Sequence, residues 1–192
     1  MPTPPSTRPA PIARPDDAER AVLAAIAMYE AGEEFRRIAP EGVPPIGKTR
    51  VGLHFGEAIV GNFGGEGRIQ YTALGDSMNL ASRLESASKQ LKTTVLVSET
   101  AAAASPQPWL RPMGRVAVRG RSTPIAIFEP KPHLPLADVT LLTALVARFD
   151  EGEIQALEEL ERYSLDHPDD AAIANLVYRL RRVGPGGSFV LE

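Results

Sequence analysis

The sequence predicts an α+β fold followed by a C-terminal αα-hairpin. Three observations point to it: an alanine-rich stretch with helical spacing near the N-terminus, a series of short glycine-punctuated alternating segments enclosing a second helix, and a change to purely helical patterning after Pro130, Pro132 and Pro135. Hydrophobic residues make up 43% and charged residues 23% of the 192 positions, the balance of a globular chain rather than a disordered one. A formal charge of -3 leaves no basic excess to neutralise a phosphate backbone, so no nucleic-acid partner is expected. There is no cysteine, which excludes disulfides and thiolate metal sites. No apolar run is long enough to span a bilayer, so a soluble, cytoplasmic-type protein without membrane contact is expected.

Residues 1–15, MPTPPSTRPAPIARP, lack the apolar core of a secretory signal and the amphipathic pattern of a transit peptide, and read as a disordered proline-rich segment. A helix is predicted from Asp16 to near Ala39, with Val22, Leu23, Ile26 and Tyr29 on its apolar face and Asp16 and Asp17 as N-cap and first-turn acids. Pro40, Pro44 and Pro45 then enforce a loop. Alternation over 49–56 predicts a strand, continued by a second over 57–62. The glycines of 61–67 supply turn chemistry, and 68–73 resumes as a strand, making a hairpin. Gly75-Asp76-Ser77 opens a helix running to about Leu91, with Asp76 or Ser77 as its cap and Leu80, Leu84 and Ala87 facing the core. A strand over 93–97, a helical turn over 100–104 and a hairpin of 114–120 with 124–128 complete the main domain, 16–130.

The extension, 131–192, has two helical stretches, 137–163 interrupted near Glu151-Gly152, and 170–182. Leu141, Leu142, Leu145, Phe149, Leu157 and Leu160 supply an apolar face, and His167-Pro168-Asp169-Asp170 reads as turn plus N-cap. The pair resembles one tetratricopeptide-type unit, which cannot bury its own face and must pack on the main domain or on a partner.

Residues 51–64, VGLHFGEAIVGNFG, and 71–85, YTALGDSMNLASRLE, resemble the signature of class III nucleotidyl (adenylate or guanylate) cyclases, and the V-S-E strand and the V-x-V-R-G-x-x-x-P-I hairpin extend the likeness over 16–130. The fold implied is part of the ferredoxin-like-derived cyclase sheet with its helices. In that family the ribose 3′-oxygen attacks the α-phosphorus and pyrophosphate leaves. Asn79 and Arg83 are four apart and so project from one helix face. A rigid guanidinium suits the charge that gathers on phosphoryl oxygens. The resemblance implies that Asn79 orients the ribose and that Arg83 stabilises the transition state; the alternative is an Arg paired with Glu85 or Glu57 beside a solvated Asn.

Arg119 stands where the family has a basic residue on the terminal phosphates, and reads equally as an ordinary charge beside a turn. Thr72 replaces the purine-reading aspartate of many members, as in a bacterial subclass, which leaves ATP versus GTP open. Asp76 reads as a cap, His54 as structural, and His133 and His167 as loop residues.

The family's two Mg²⁺ or Mn²⁺ ions are held by two aspartates on strands upstream of the first helix, and no residue here matches them. The expectation is therefore a truncated domain that is inactive alone. In a head-to-tail dimer it would give only the transition-state half-site to another cyclase protomer. A non-catalytic regulatory or protein-binding module is the alternative.

Overall fold

A computed structural model describes residues 14–191 apart from 41, 43, 46, 66 and 119–122. Helix α1 (Asp17–Ile38) begins where expected, although Asp16 occupies the cap position without a side-chain cap bond. Instead the Asp17 carboxylate accepts from the Arg14 N–H at 2.6 Å. Val22 and Ala25 are buried, with Ile26 and Tyr29 half-buried beside them, whereas Leu23, expected on this face, is 49% exposed. One helical residue turns about 100°, which carries Leu23 away from Val22 and toward solvent.

The main sheet has the order β1-β4-β6-β5-β7. Strand β1 (Val51–Leu53) is shorter than predicted and pairs in parallel with β4 (Val95–Ser98), Val51 opposite Val95 and Leu53 opposite Val97. Strand β6 (Ile125–Pro130) runs antiparallel to both β4 and β5 (Leu110–Ala117). Strand β5 starts earlier than predicted and contains Pro112, its register with β6 shifting between Pro112 and Arg115. A two-residue strand, β7 (Phe189–Val190), adds in parallel to β5 and was not anticipated. Strands β2 (Ile59–Gly65) and β3 (Arg68–Leu74) form the expected hairpin, as a separate two-stranded sheet.

Alternation on β4 sorts the core into two layers. Val95 and Val97 pack with Ala25, Leu110 and Ala101, the last from the short helix α3 (Glu99–Ala104), whose N-cap Ser98 accepts from the Ala101 N–H. Leu96 faces the other way, toward Met113, Ile127 and the buried side of α2 (Asp76–Leu91). Neither Asp76 nor Ser77 caps α2; both lie inside the helix, Gly75 holds the cap position, and the Ser77 hydroxyl donates to the Glu57 carbonyl at 2.6 Å.

After Pro130 the chain forms α4 (Leu136–Asp150), α5 (Gln155–Asp166) and α6 (Ala171–Val183), so the interruption at Glu151-Gly152 divides the first predicted stretch into two helices and the tail holds three rather than a single pair. Leu142, Leu145, Phe149 and Leu160 are buried and Leu157 is partly buried, but Leu141 is 42% exposed. These residues, with Ile173, Leu176 and Leu180 of α6, share one core with Leu80 and Leu84 of α2 and with Met113 and Ile127 of the sheet. The tail's apolar face is thus covered by the sheet and α2, as its inability to cover itself requires.

A buried ion network fastens this layer. The Arg111 guanidinium, fully buried in β5, donates to Glu129 at 3.0 and 2.6 Å and to Asp170 Oδ1 at 3.0 Å. Asp170 Oδ1 also accepts from the Ile173 N–H at 3.2 Å, so one carboxylate caps α6 and anchors it to the sheet. Asn175 of α6 donates to the Gln90 carbonyl of α2 at 3.2 Å. No helix among the described residues is long and apolar enough to cross a membrane.

Candidate functional site

Helix α2 carries the two residues that the motif singles out. Its inner face, Leu80, Leu84, Ala87 and Leu91, is locked in the core, which turns Asn79 and Arg83 outward into solvent one turn apart. The helix lies directly on β1: a Cβ added to Gly52 would stand 2.1 Å from the Ala81 carbonyl oxygen and 2.4 Å from the Glu85 nitrogen, so only glycine permits this approach. The start of α2 is tied to the segment between β1 and β2 by the Ser77–Glu57 bond.

Thr72 is exposed on β3, the strand that leads through Gly75 into α2. Register places it opposite Gly61 and on the same hairpin face as Leu74 and its partner Ile59. Asn79 and Arg83 are therefore brought to one helix face, and Thr72 to the strand feeding that helix. Arg119 lies outside the described residues. His54, expected to be structural, has Nδ1 2.9 Å from Ser98 Oγ and 3.1 Å from Thr100 Oγ1. The part played by Ser77 was not anticipated, because its partner carbonyl lies twenty positions upstream and a Ser beside a helix start reads first as a cap.

The buried groups with perturbed titrations lie away from this face, in the layer between tail and sheet. Burial pushes the Arg179 guanidinium down to about 10; it donates to the Met113 carbonyl at 2.8 Å and to Asn175 at 2.9 Å, and sits 5.8 Å from the Phe189 ring centroid. Burial alone would raise the Asp170 carboxyl, but its hydrogen bond and attraction to Arg111 outweigh this and hold it below its usual value. These groups brace the fold.

Among the described residues no three His, Asp or Glu side chains converge as a metal site. The carboxylates nearest the site in sequence, Glu57, Asp76 and Glu85, are scattered over a loop and two positions of α2. The described residues do not make up a two-ion centre.

An amide and a guanidinium displayed together on a braced helix form a surface suited to a phosphorylated, hydroxyl-bearing ligand. Residues 10–129 match the adenylate and guanylate cyclase catalytic domain family, and the chain belongs to that family. It is 40% identical over 121 residues to adenylate cyclase 1 of Rhizobium meliloti (strain 1021), a match covering 62% of this chain and 18% of that protein. Among solved structures it resembles the adenylyl cyclase CyaB from P. aeruginosa, with 30% identity, a TM-score of 0.55 and coverage of 66% of this chain and 65% of that one. The guanylyl cyclase Cya2 aligns with 29% identity, a TM-score of 0.53 and 66% coverage of each chain. The chain thus spans less than a fifth of the Rhizobium relative and about two thirds of each of the two structures.

Proposed function

We propose that this chain provides the Asn79/Arg83 half of an adenylate cyclase active site, acting in cytoplasmic signalling. The observation that carries the reading is the display of these two side chains, one turn apart, on the solvent face of a helix whose opposite face is fixed in the core. In the reaction the ribose 3′-oxygen forms a bond to the α-phosphorus while the bond to pyrophosphate breaks. Asn79 orients the ribose so that the 3′-oxygen is in line. Arg83 donates to the phosphoryl oxygens as their charge grows, an interaction that is worth most in the transition state. Thr72 contacts the purine edge, and Arg119 the terminal phosphates. ATP is assigned as substrate on the likeness to adenylate cyclase 1 of Rhizobium meliloti, 40% identical over 121 residues. The two Mg²⁺ or Mn²⁺ ions are assigned to carboxylates outside these 192 residues, contributed by another cyclase protomer in a head-to-tail dimer. The exposed Ile59, Ile69, Tyr71 and Leu74 of the hairpin support such an association, since a monomer gains nothing by displaying them.

The test is complementation. The purified chain alone should make no detectable cyclic nucleotide. Mixed with a full-length homologue whose own transition-state arginine is replaced by alanine, it should restore turnover. Arg83→Ala in this chain should lower the restored rate by about 10²–10³, the usual effect of removing one preorganised donor. Robust activity of the isolated chain, or equal rescue by Arg83→Ala, would overturn the assignment.

A further inference from the structure

The turn between β1 and β2 is held from two sides by side chains that the proposed chemistry does not use. On one side, the Thr100 hydroxyl donates to the Phe55 carbonyl at 2.7 Å. On the other, the Ser77 hydroxyl, from the first turn of α2, donates to the Glu57 carbonyl at 2.6 Å. Gly56 lies between them in a space that admits no side chain: a Cβ there would stand 2.5 Å from Ser77 Oγ and 2.8 Å from His54 Nε2. The imidazole of His54 is itself fixed, its Nδ1 lying 2.9 Å from Ser98 Oγ and 3.1 Å from Thr100 Oγ1, which are 3.1 Å from each other. Ser98 in turn accepts the Ala101 N–H at the start of α3.

Counting protons favours the tautomer with a hydrogen on Nδ1. Thr100 has one hydroxyl hydrogen, and a carbonyl can only accept, so that hydrogen goes to Phe55. At the His54 contact Thr100 can then only accept, so a hydrogen bond there uses Nδ1–H, whereas the 2.9 Å Ser98 contact fits Nδ1 as donor or as acceptor. In that tautomer His54 is a donor that orients the Thr100 hydroxyl toward the turn.

We propose that His54 is a positioning residue for helix α2. By donating to Thr100 and filling the space beside Gly56, it fixes the 54–58 turn to which the Ser77 end of α2 is bonded, and so sets the placement of Asn79 and Arg83. A connected network of this kind acts as a unit, because the loss of one donor frees the hydroxyl it was orienting. Active-site geometry is sensitive on this scale: a misplacement of about 1 Å can cost about 10²-fold in rate. The inference rests on the half-site reading for its functional consequence, and on the bonds above for its structural one.

Two readouts on the full-length chain separate these. The first is amide hydrogen exchange at Met78 and Asn79, whose N–H groups bond to the Gly75 carbonyl at 3.1 and 3.3 Å, with Ala174 of α6 as a distant reference. His54→Leu should speed exchange at Met78 and Asn79 by about tenfold, the size of one lost hydrogen bond, and leave Ala174 unchanged. His54→Asn retains a donor near the Nδ1 position and should stay close to wild type, while His54→Asp, which offers only acceptors when ionised, should behave like His54→Leu. Gly56→Ala should also speed exchange at Met78 and Asn79.

The second readout is the complementation assay, in which His54→Leu should lower kcat by about tenfold or more while KM stays within about threefold, as expected for misaligned groups that act in the transition state. Unchanged exchange at Met78 and Asn79 in His54→Leu would overturn the proposal, as would an equal rise at Ala174, or an Asn variant no better than Leu. If the wild-type chain gives no rescue, the half-site reading fails and hydrogen exchange alone decides the role of His54.

Discussion

The hairpin β2–β3 and the tail layer α4–α6 use the same kinds of apolar side chain in opposite ways. In the hairpin, Ile59 is 70% exposed, Ile69 72% and Tyr71 67%, and these residues are spread over both faces of the ribbon. In the tail, Leu142, Leu160, Ile173 and Leu176 are fully buried against α2 and the sheet. An isolated two-stranded ribbon has no second layer to bury its faces and is marginal in water. A helical layer laid over a sheet buries its whole stripe at roughly 1.5–3 kcal/mol per large side chain. The same residue types therefore hold the chain together in one region and remain available to other molecules in the other, so apolar content alone does not mark a core.

Substitutions should divide along the same line. The largest effect is expected at Phe149, which is 1% exposed near the end of α4 and belongs to the shared core. Phe149→Ala should cost about 4 kcal/mol in chemical denaturation, the sum of lost transfer energy and a cavity that the surrounding helices fill only in part. The loss should appear in the unfolding of the whole chain, because tail, α2 and sheet share one core. A separate low-stability transition for the tail, with the rest unchanged, would break the comparison.

Next is Arg111. Arg111→Leu leaves Glu129, which is 2% exposed, without its guanidinium partner and should cost about 3 kcal/mol. Replacing Arg111 and Glu129 together by apolar residues should recover part of that loss, since Glu129 would otherwise keep only the half-exposed Lys131 ammonium, at 3.5 Å, as its ion-pair partner.

Asp170→Asn is expected to cost about 2 kcal/mol at neutral pH, because it weakens the bond to Arg111 while keeping an oxygen for the α6 cap. The pH dependence follows from the direction of the shift. Arg111 holds the Asp170 carboxyl below its unfolded value despite burial, so its contribution is fully present above the ordinary carboxylate range and is lost as pH falls through the lowered folded value. Thermal midpoints of wild type and Asp170→Asn should therefore differ at pH 7 and draw together only as pH falls below the ordinary carboxylate range. A constant gap down to acid pH would mean that the charge of Asp170 contributes nothing.

Much of this contrast was legible in the sequence, and its limits have physical causes. The α2 helix, the β2–β3 turn and the core positions Leu80, Leu84 and Ala87 follow from periodicity and glycine placement alone. The family motif places Asn79 and Arg83 on that helix, and the structure turns both outward. Strand β7 could not be read, because two residues carry no period, and only the waiting edge of β5 makes them a strand. Leu23 and Leu141 were assigned to buried faces because hydrophobicity marks candidates for burial, whereas the neighbouring element decides which are covered. The cap on α2 was misread for a related reason: Ser77 has the chemistry of an N-cap, but a carbonyl twenty positions upstream competes for its hydroxyl. The junction of His54, Ser98 and Thr100 joins residues up to 46 positions apart, beyond any local pattern.

The smallest effect on folding is expected in the hairpin. Ile69 pairs across the ribbon with Gly64, which offers it no side chain, and its own side chain is largely in water. Ile69→Thr keeps a β-branched residue suited to a strand while removing apolar surface, so the stability of the chain should change by less than about 0.5 kcal/mol. If these side chains serve association, the same substitution should weaken self-association or binding to a homologous cyclase in sedimentation experiments, and Ile69→Thr with Tyr71→Ser should weaken it further. A stability loss comparable to that at Phe149 would mean that the hairpin is packed into the fold in solution, and would remove the distinction between the two regions.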